Sequence, residues 1–151
     1  MAHYNFIDDI KEGNDGEFVV AKVLVKAGAK IIHVCADYKY DLKVSYKENI
    51  ITYEIKTDVY VTPNNDSGNI FIEKESWGKL SGISVTKSDW FVTYFKYLNE
   101  LWSIRTNDLK ELIDNNKFTL TTNSGDANSG TRGYLIPRIL FKKHFKIKKI
   151  N

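Results

Sequence analysis

The sequence predicts one domain of the α/β (α+β) class, and three observations carry that reading. Residues 41–57 hold two stretches of alternating apolar and polar side chains around a polar turn. Residues 89–97, DWFVTYFKY, are the most continuously apolar and β-prone run. Residues 16–27, and a stretch ending near 114, space their apolar side chains as helices do. At 151 residues the chain has the usual size of a single domain and can bury a real core.

In chain order, residues 6–11 are expected to form a short helix ending near Gly13. Asn14 or Asp15 then caps a main helix over about 16–27, with Val20, Ala21, Leu24 and Ala27 on one face and Gly28 as its stop. Glu17 lies on that face, one turn earlier. A carboxylate in the first turn is favoured by the helix dipole, so local stabilisation is one reading of it. Residues 30–36 are β-rich and lead into a hairpin.

In that hairpin Leu42, Val44 and Tyr46 alternate with Asp41, Lys43 and Ser45, while Ile51, Tyr53 and Ile55 alternate with Thr52, Glu54 and Lys56. Lys47, Glu48 and Asn49 make the turn. Pairing Ser45 or Tyr46 with Ile50 or Ile51 puts Asp41 on the polar face, within a few residues of Glu54. Two acids and a lysine at strand ends can hold a hard divalent cation and handle a proton beside it. The plainer reading makes Asp41 a turn residue and Glu54 and Lys56 a surface ion pair.

Residues 57–69, with Pro63 and the cluster NNDSGN, read as a loop, and Asp58 as an acid at its edge. Residues 69–75 form a strand with Phe71, Glu73 and Glu75 on one face; Glu73 is either an ordinary edge-strand acid or an additional acid drawn toward the site. The Gly- and Ser-rich stretch 76–86 offers backbone amides at Gly78 and Gly82, with Lys79 and Ser81, to phosphates. Its Trp77 either stacks on a base or plugs the core, the second being the commoner fate of a lone Trp. Residues 89–97 make the buried central strand, 101–105 its hairpin partner, and a helix capped by Thr106 or Asn107 carries Leu109, Leu112 and Ile113. A short strand over 117–121 precedes a loop over 122–133. In that loop the Gly125–Gly130 spacing lacks the lysine and the strand-to-helix context of a phosphate-binding loop. Residues 138–149 read as a basic amphipathic element anchored by Ile139, Leu140, Phe141, Phe145 and Ile147.

Charge is unevenly spread. Residues 132–151 contain Arg132, Arg138, Lys142, Lys143, Lys146, Lys148 and Lys149 and no acid, whereas the rest of the chain holds 15 basic and 19 acidic residues. A basic terminal element suits a polyanion such as nucleic acid; a solvated terminal element is the equal alternative. The longest apolar stretch is interrupted by Lys22, Lys26 and Lys30, so no membrane span is expected, and the acidic start lacks a signal-peptide core. The single Cys35 excludes an internal disulfide and a cysteine-rich zinc site, and suggests a buried thiol in a cytoplasmic, reducing setting. His3, His33 and His144 lack zinc-hydrolase spacing, and there is no G-x-S-x-G nucleophile elbow. Asp41 and Glu54 as a glycosidase pair fit less well, because Lys56 and the basic terminus favour a phosphate substrate.

Asp41, followed thirteen residues later by Glu54-Ile55-Lys56, with Glu17 on a preceding helix, resembles the PD-(D/E)XK nuclease superfamily over roughly residues 15–95. Tyr40 stands where that family has a proline, which has no chemical role. The resemblance implies a restriction-endonuclease-like mixed β-sheet flanked by helices. It also implies Mg²⁺ or Mn²⁺ held by Asp41, Glu54 and the backbone carbonyl of Ile55, with Glu17 completing the shell. Lys56 would orient or deprotonate the attacking water and offset transition-state charge. It further implies hydrolysis of DNA, duplex or branched, more readily than RNA, with structure-selective cutting and pairing as a homodimer. Lys79, Ser81, Arg132, Lys142, Lys143 and Lys146 are the expected nucleic-acid contacts. The alternative is a nucleic-acid-binding or protein-interaction module that keeps the fold without catalysis.

Overall fold

A computed structural model describes residues 15–34, 39–122 and 130–151 of the chain. The elements run α1 (Asp15–Lys26), β1 (Lys30–Val34), β2 (Leu42–Tyr46), β3 (Asn49–Asp58), β4 (Asn69–Ser76), β5 (Lys79–Leu80), β6 (Trp90–Phe95), β7 (Glu100–Arg105), α2 (Thr106–Asp114), β8 (Thr119–Thr121), β9 (Thr131–Pro137), α3 (Arg138–Phe141) and β10 (Lys146–Lys149). Among the described residues they build a six-stranded mixed sheet, β1-β2-β3-β6-β7-β10, and a four-stranded antiparallel sheet, β5-β4-β9-β8.

The alternation in residues 41–57 sets the architecture. β2 and β3 pair with Ser45 opposite Ile50 and Leu42 opposite Tyr53, one of the registers the pattern allowed. Leu42, Val44 and Ile55 therefore share one face with Val92, Tyr94 and Leu101, where α1 covers them with Val20 and Ala21. On the opposite face Phe91, Phe95, Trp102 and Ile104 pack against Ile70, Ile72 and Ile136 of the second sheet and Leu109 and Leu112 of α2. The central sheet is thus sandwiched, which is why β6 carries apolar side chains in both directions and reads as a continuous run. It lies parallel to β3, with Glu54 beside Phe91 and Lys56 beside Thr93.

Several boundaries differ from expectation. The hairpin turn is two residues long, Lys47 and Glu48, both with positive φ, so Asn49 already belongs to β3. β3 continues through Thr57 to Asp58, whose carboxylate accepts the Tyr60 and Val61 amides and so turns the chain. A bulge between Glu73 and Glu75 breaks the simple alternation expected of β4. β9 begins at Thr131, inside the predicted loop, because its pairing with β4 supplies the order that its Gly-rich composition does not advertise. The basic element 138–149 is not one amphipathic unit but a helical turn, a 3-10 turn and an edge strand. Its Phe145 is buried, whereas Ile139 and Leu140 are exposed. The expected helix over 6–11, Cys35 and Gly125 lie outside the described residues. No helix among the described residues is long and apolar enough to cross a membrane.

A 3-10 turn at Gly82–Ser84 lies against β4. Gly82 has φ +53, and a Cβ there would stand 2.3 Å from the Glu73 carbonyl oxygen. Gly82→Ala adds both left-handed strain and a backbone clash, so it is expected to cost at least about 1–3 kcal/mol. Urea unfolding should show a lower midpoint at unchanged m, and an unmoved midpoint would mean the turn is not held against β4.

Candidate active site

Period-2 alternation sends Glu54 and Lys56 to the face of β3 opposite Ile55, and the register of β2 puts Asp41 on the same side. The Asp41 amide donates to the Tyr53 carbonyl, and its Oδ2 accepts the Ile55 amide at 2.8 Å. Asp41 thereby takes over the ladder where β2 begins. Backbone groups alternate sides along a strand, so the Ile55 carbonyl points to the same edge as its amide, toward Asp41. α1 is tied to this end of β3 by the Gly16 amide, which donates to Thr57 Oγ1 at 3.0 Å, so Glu17 enters the electrostatic field of Asp41 and Lys56.

Glu54 is 6 % exposed and Asp41 9 %. Lys56 Nζ lies 3.4 Å from Glu54 Oε2 and keeps about a third of its side chain in solvent. The other oxygen, Glu54 Oε1, is 3.2 Å from Thr86 Oγ1. Thr86 Oγ1 in turn accepts the Ser88 amide and lies 3.0 Å from Ser88 Oγ, which meets Thr106 Oγ1 at 3.0 Å. Thr86, Ser88 and Thr106 are all buried, so a chain of hydroxyls running under the sheet end braces the carboxylate. Thr93, beside Lys56 in the register, has a buried hydroxyl with no partner among the described residues.

The acids repel one another. Burial first, then the Asp41 carboxylate, raises Glu17 from 4.5 to about 7 against the pull of Lys56. Burial and then Asp41 likewise raise Glu54 from 4.5 to about 7, against Lys56 and Thr86. For Lys56, burial works to lower the pKa, but Glu54, Glu73 and Asp41 together outweigh it and hold the ammonium protonated. Glu73 of the second sheet is therefore within electrostatic reach of the cluster.

Among the described residues, no group of three or more His, Cys, Asp or Glu side chains is placed so that it could hold a metal ion. Glu17, Asp41 and Glu54 are nonetheless oxygen donors of the kind a hard cation takes, in excess of the single Lys56, and burial, then repulsion by Asp41, raises two of them. Metal binding would relieve this repulsion.

The expected nucleic-acid contacts are not gathered here. Lys79 is exposed on β5, and Arg132 on β9 pairs with Glu75 at 2.8 Å. The Ser81 amide donates to the Lys74 carbonyl, and its Oγ is buried without a partner among the described residues. Lys142 and Lys143 are exposed on the 3-10 turn. Lys146 sits in the row Ile55–Val92–Ser103–Lys146, three strands or about 14 Å from β3 on the α1 face. The hydroxyls of Thr86, Ser88 and Thr93 went unnoticed in the sequence, where Ser and Thr carry no burial signal; only the polar stretch running directly into the apolar β6 hinted at them.

No family model matches the chain, and neither a curated protein nor a solved structure matches it.

The raised carboxylates make stability depend on pH. Between 4.5 and about 7 the folded chain binds more protons at Glu17 and Glu54 than the unfolded chain does, so their contribution is full at lower pH and is lost as pH rises through 7. In chelator, the melting temperature is expected to fall from pH 5.5 to pH 8, and Glu54→Gln to flatten the fall. An equal slope in parent and variant would remove Glu54 from the cluster.

Proposed function

We propose that this chain is a metal-dependent nuclease that hydrolyses phosphodiester bonds in DNA, selecting its substrate by structure. The observation that carries the reading is the convergence of Glu17 from α1, Asp41 at the start of β2, and Glu54 and Lys56 of β3 into one electrostatic cluster, with both Asp41 and Glu54 buried and Lys56 Nζ 3.4 Å from Glu54. Acids and a cation gathered in this way are a common mark of a functional site.

In this reading Asp41, Glu54 and the Ile55 carbonyl would hold Mg²⁺ or Mn²⁺, with Glu17 completing the set. The ion would supply Lewis acidity at the phosphate and acidify water. The chain's own contribution is positional and electrostatic. The Ile55 amide fixes Asp41 and the Thr86 hydroxyl steadies Glu54, so neither carboxylate has to reorganise at the moment of reaction. Lys56, kept as an ammonium by three carboxylates, is better suited to orient water and offset phosphorane charge than to remove a proton. A cytoplasmic setting, a DNA partner and pairing as a homodimer belong to the same proposal. The second reading, a binding module without catalysis, takes its support from the 3.4 Å Glu54–Lys56 contact, which satisfies both charges without an ion.

Two measurements test the proposal. Asp41→Asn and Glu54→Gln each remove an anionic donor at little change in volume, so Mn²⁺ affinity by calorimetry should drop in both while circular dichroism is retained; unchanged affinity in both would sink the metal assignment. Lys56→Met keeps the aliphatic stem and should bind Mn²⁺ at least as well, yet lower single-turnover cleavage of branched or linear DNA on the order of 10²-fold or more. A parent that shifts DNA equally with and without chelator and never cuts it would favour the binding module.

A further inference from the structure

Trp77, for which the sequence left a core plug or a base-stacking ring open, does not plug the core: it is 73 % exposed at the tip of the β4–β5 hairpin. Ser76 pairs with Lys79, which leaves Trp77 and Gly78 as a two-residue turn with φ +52 and +78. Such turns favour Asn or Gly at the first position, because a side chain in the left-handed region is strained, and a bulky one most of all. The indole recovers little of that cost by burial. It is nonetheless fixed in place: the Trp77 amide donates to the Gly130 carbonyl at 2.9 Å, and a Cβ on Gly130 would lie 2.4 Å from the indole Cδ2. The ring lies over a glycine that leaves room for it, and most of the residue remains open to solvent. Exposed Lys79 and Leu80 follow it on β5.

The hairpin belongs to the strand that carries Glu73, whose charge is felt by Lys56. Ser76 at the base of the tip follows Glu73 by three residues of β4, across the bulge between Glu73 and Glu75.

We propose that Trp77 is a stacking platform for an unpaired nucleobase, with the exposed Lys79 two residues on for the phosphate, at the tip of the hairpin whose strand β4 carries Glu73. The inference rests on the nuclease reading for its substrate but not for its test. A strained, rigidly seated, solvent-facing indole beside a cation is what a sequence-tolerant single-strand contact requires, since every base has a π face. An internal duplex base offers no such face, so the surface selects flaps, gaps and junctions over continuous duplex.

The test uses the full chain in chelator, so that binding is read without cleavage. The probes are a single-stranded oligodeoxynucleotide and its blunt duplex. The parent should bind the single strand more tightly, with quenching of the fluorescence that is lost in Trp77→Phe. Trp77→Asn suits the left-handed turn and removes the ring; it should weaken single-strand binding at least about fivefold, the lower end for a lost base stack, and leave duplex binding and the salt slope unchanged. Trp77→Phe should fall between the two. Equal single-strand affinity in parent and Trp77→Asn overturns the proposal, as does a parent that binds neither probe, which would leave the tip to a protein partner. Trp77-dependent binding by a chain that cuts nothing in Mg²⁺ or Mn²⁺ would uphold the platform and overturn the nuclease reading alone.

Discussion

Everything in this structure turns on keeping Glu54 buried. A carboxylate at 6 % exposure on the central parallel strand is tolerated only if its charge is answered, and the fold answers it from two sides. Lys56, two residues on along the same strand face, supplies the cation at 3.4 Å, and Thr86 supplies a hydroxyl at 3.2 Å. Asp41 works against both. Its Oδ2 is committed to the Ile55 amide, so it cannot withdraw without leaving a strand amide unsatisfied. The acids stay close although their charges oppose it, and burial first, then the Asp41 charge, raises Glu17 and Glu54 to about 7. Replacing such a buried ion pair by well-packed apolar residues is often neutral or even stabilising, so the pair is not what holds the fold together.

The register of β2 on β3 converts this local constraint into the global fold. Because the side-chain period is two, a slip of one residue would turn Leu42 and Val44 away from α1 and Asp41 away from Glu54 together. The apolar rows and the acidic cluster are thus fixed by one pairing, and the burial of Leu42 and Val44, each without measurable exposure, stabilises the site geometry as much as the core. The parallel partner β6 extends the same logic. Its Phe91 lies beside Glu54 and its Thr93 beside Lys56, so the site is walled by aromatic packing at one position and offered a hydroxyl at the next.

How much of this was legible in the chain depends on whether the cue is periodic. Asp41, Glu54 and Lys56 sit in strict alternation with Leu42, Val44 and Ile55, so their common face and near-correct register could be read directly. α1, β6, β7 and α2 were legible for the same reason, having either helical spacing or a continuous apolar run. What failed was wherever long-range pairing overrides local composition. β9 begins at Thr131 within a Gly-rich stretch because β4 supplies its hydrogen bonds, and the bulge at Glu73–Glu75 is invisible without that partner. Ile139 and Leu140 have the look of anchors, but a four-residue helix is too short to present them to a core that Phe145 already fills. Of the two fates the sequence left open for Trp77, the structure excludes the core plug and sets the indole at a left-handed turn, where local propensity argues against it.

The second sheet gives the cluster its asymmetry. One face of the central sheet is closed by α1, whose first turn is pinned to Thr57 and delivers Glu17 to the strand end. The other face is closed by β4 and β9, which bury Ile70, Ile72 and Ile136 and leave Glu73 near Lys56. A ligand approaching the acids therefore meets the rim where these two covers part, and at that rim the chain offers Lys56, still partly in solvent, rather than another acid. The basic C-terminal strand cannot serve the same approach, since Lys146 lies three strands away on the α1 face and rests over the Trp90 ring. Its charge acts at longer range, as a field that screening by salt will weaken, whereas contacts at the rim are short and set by shape.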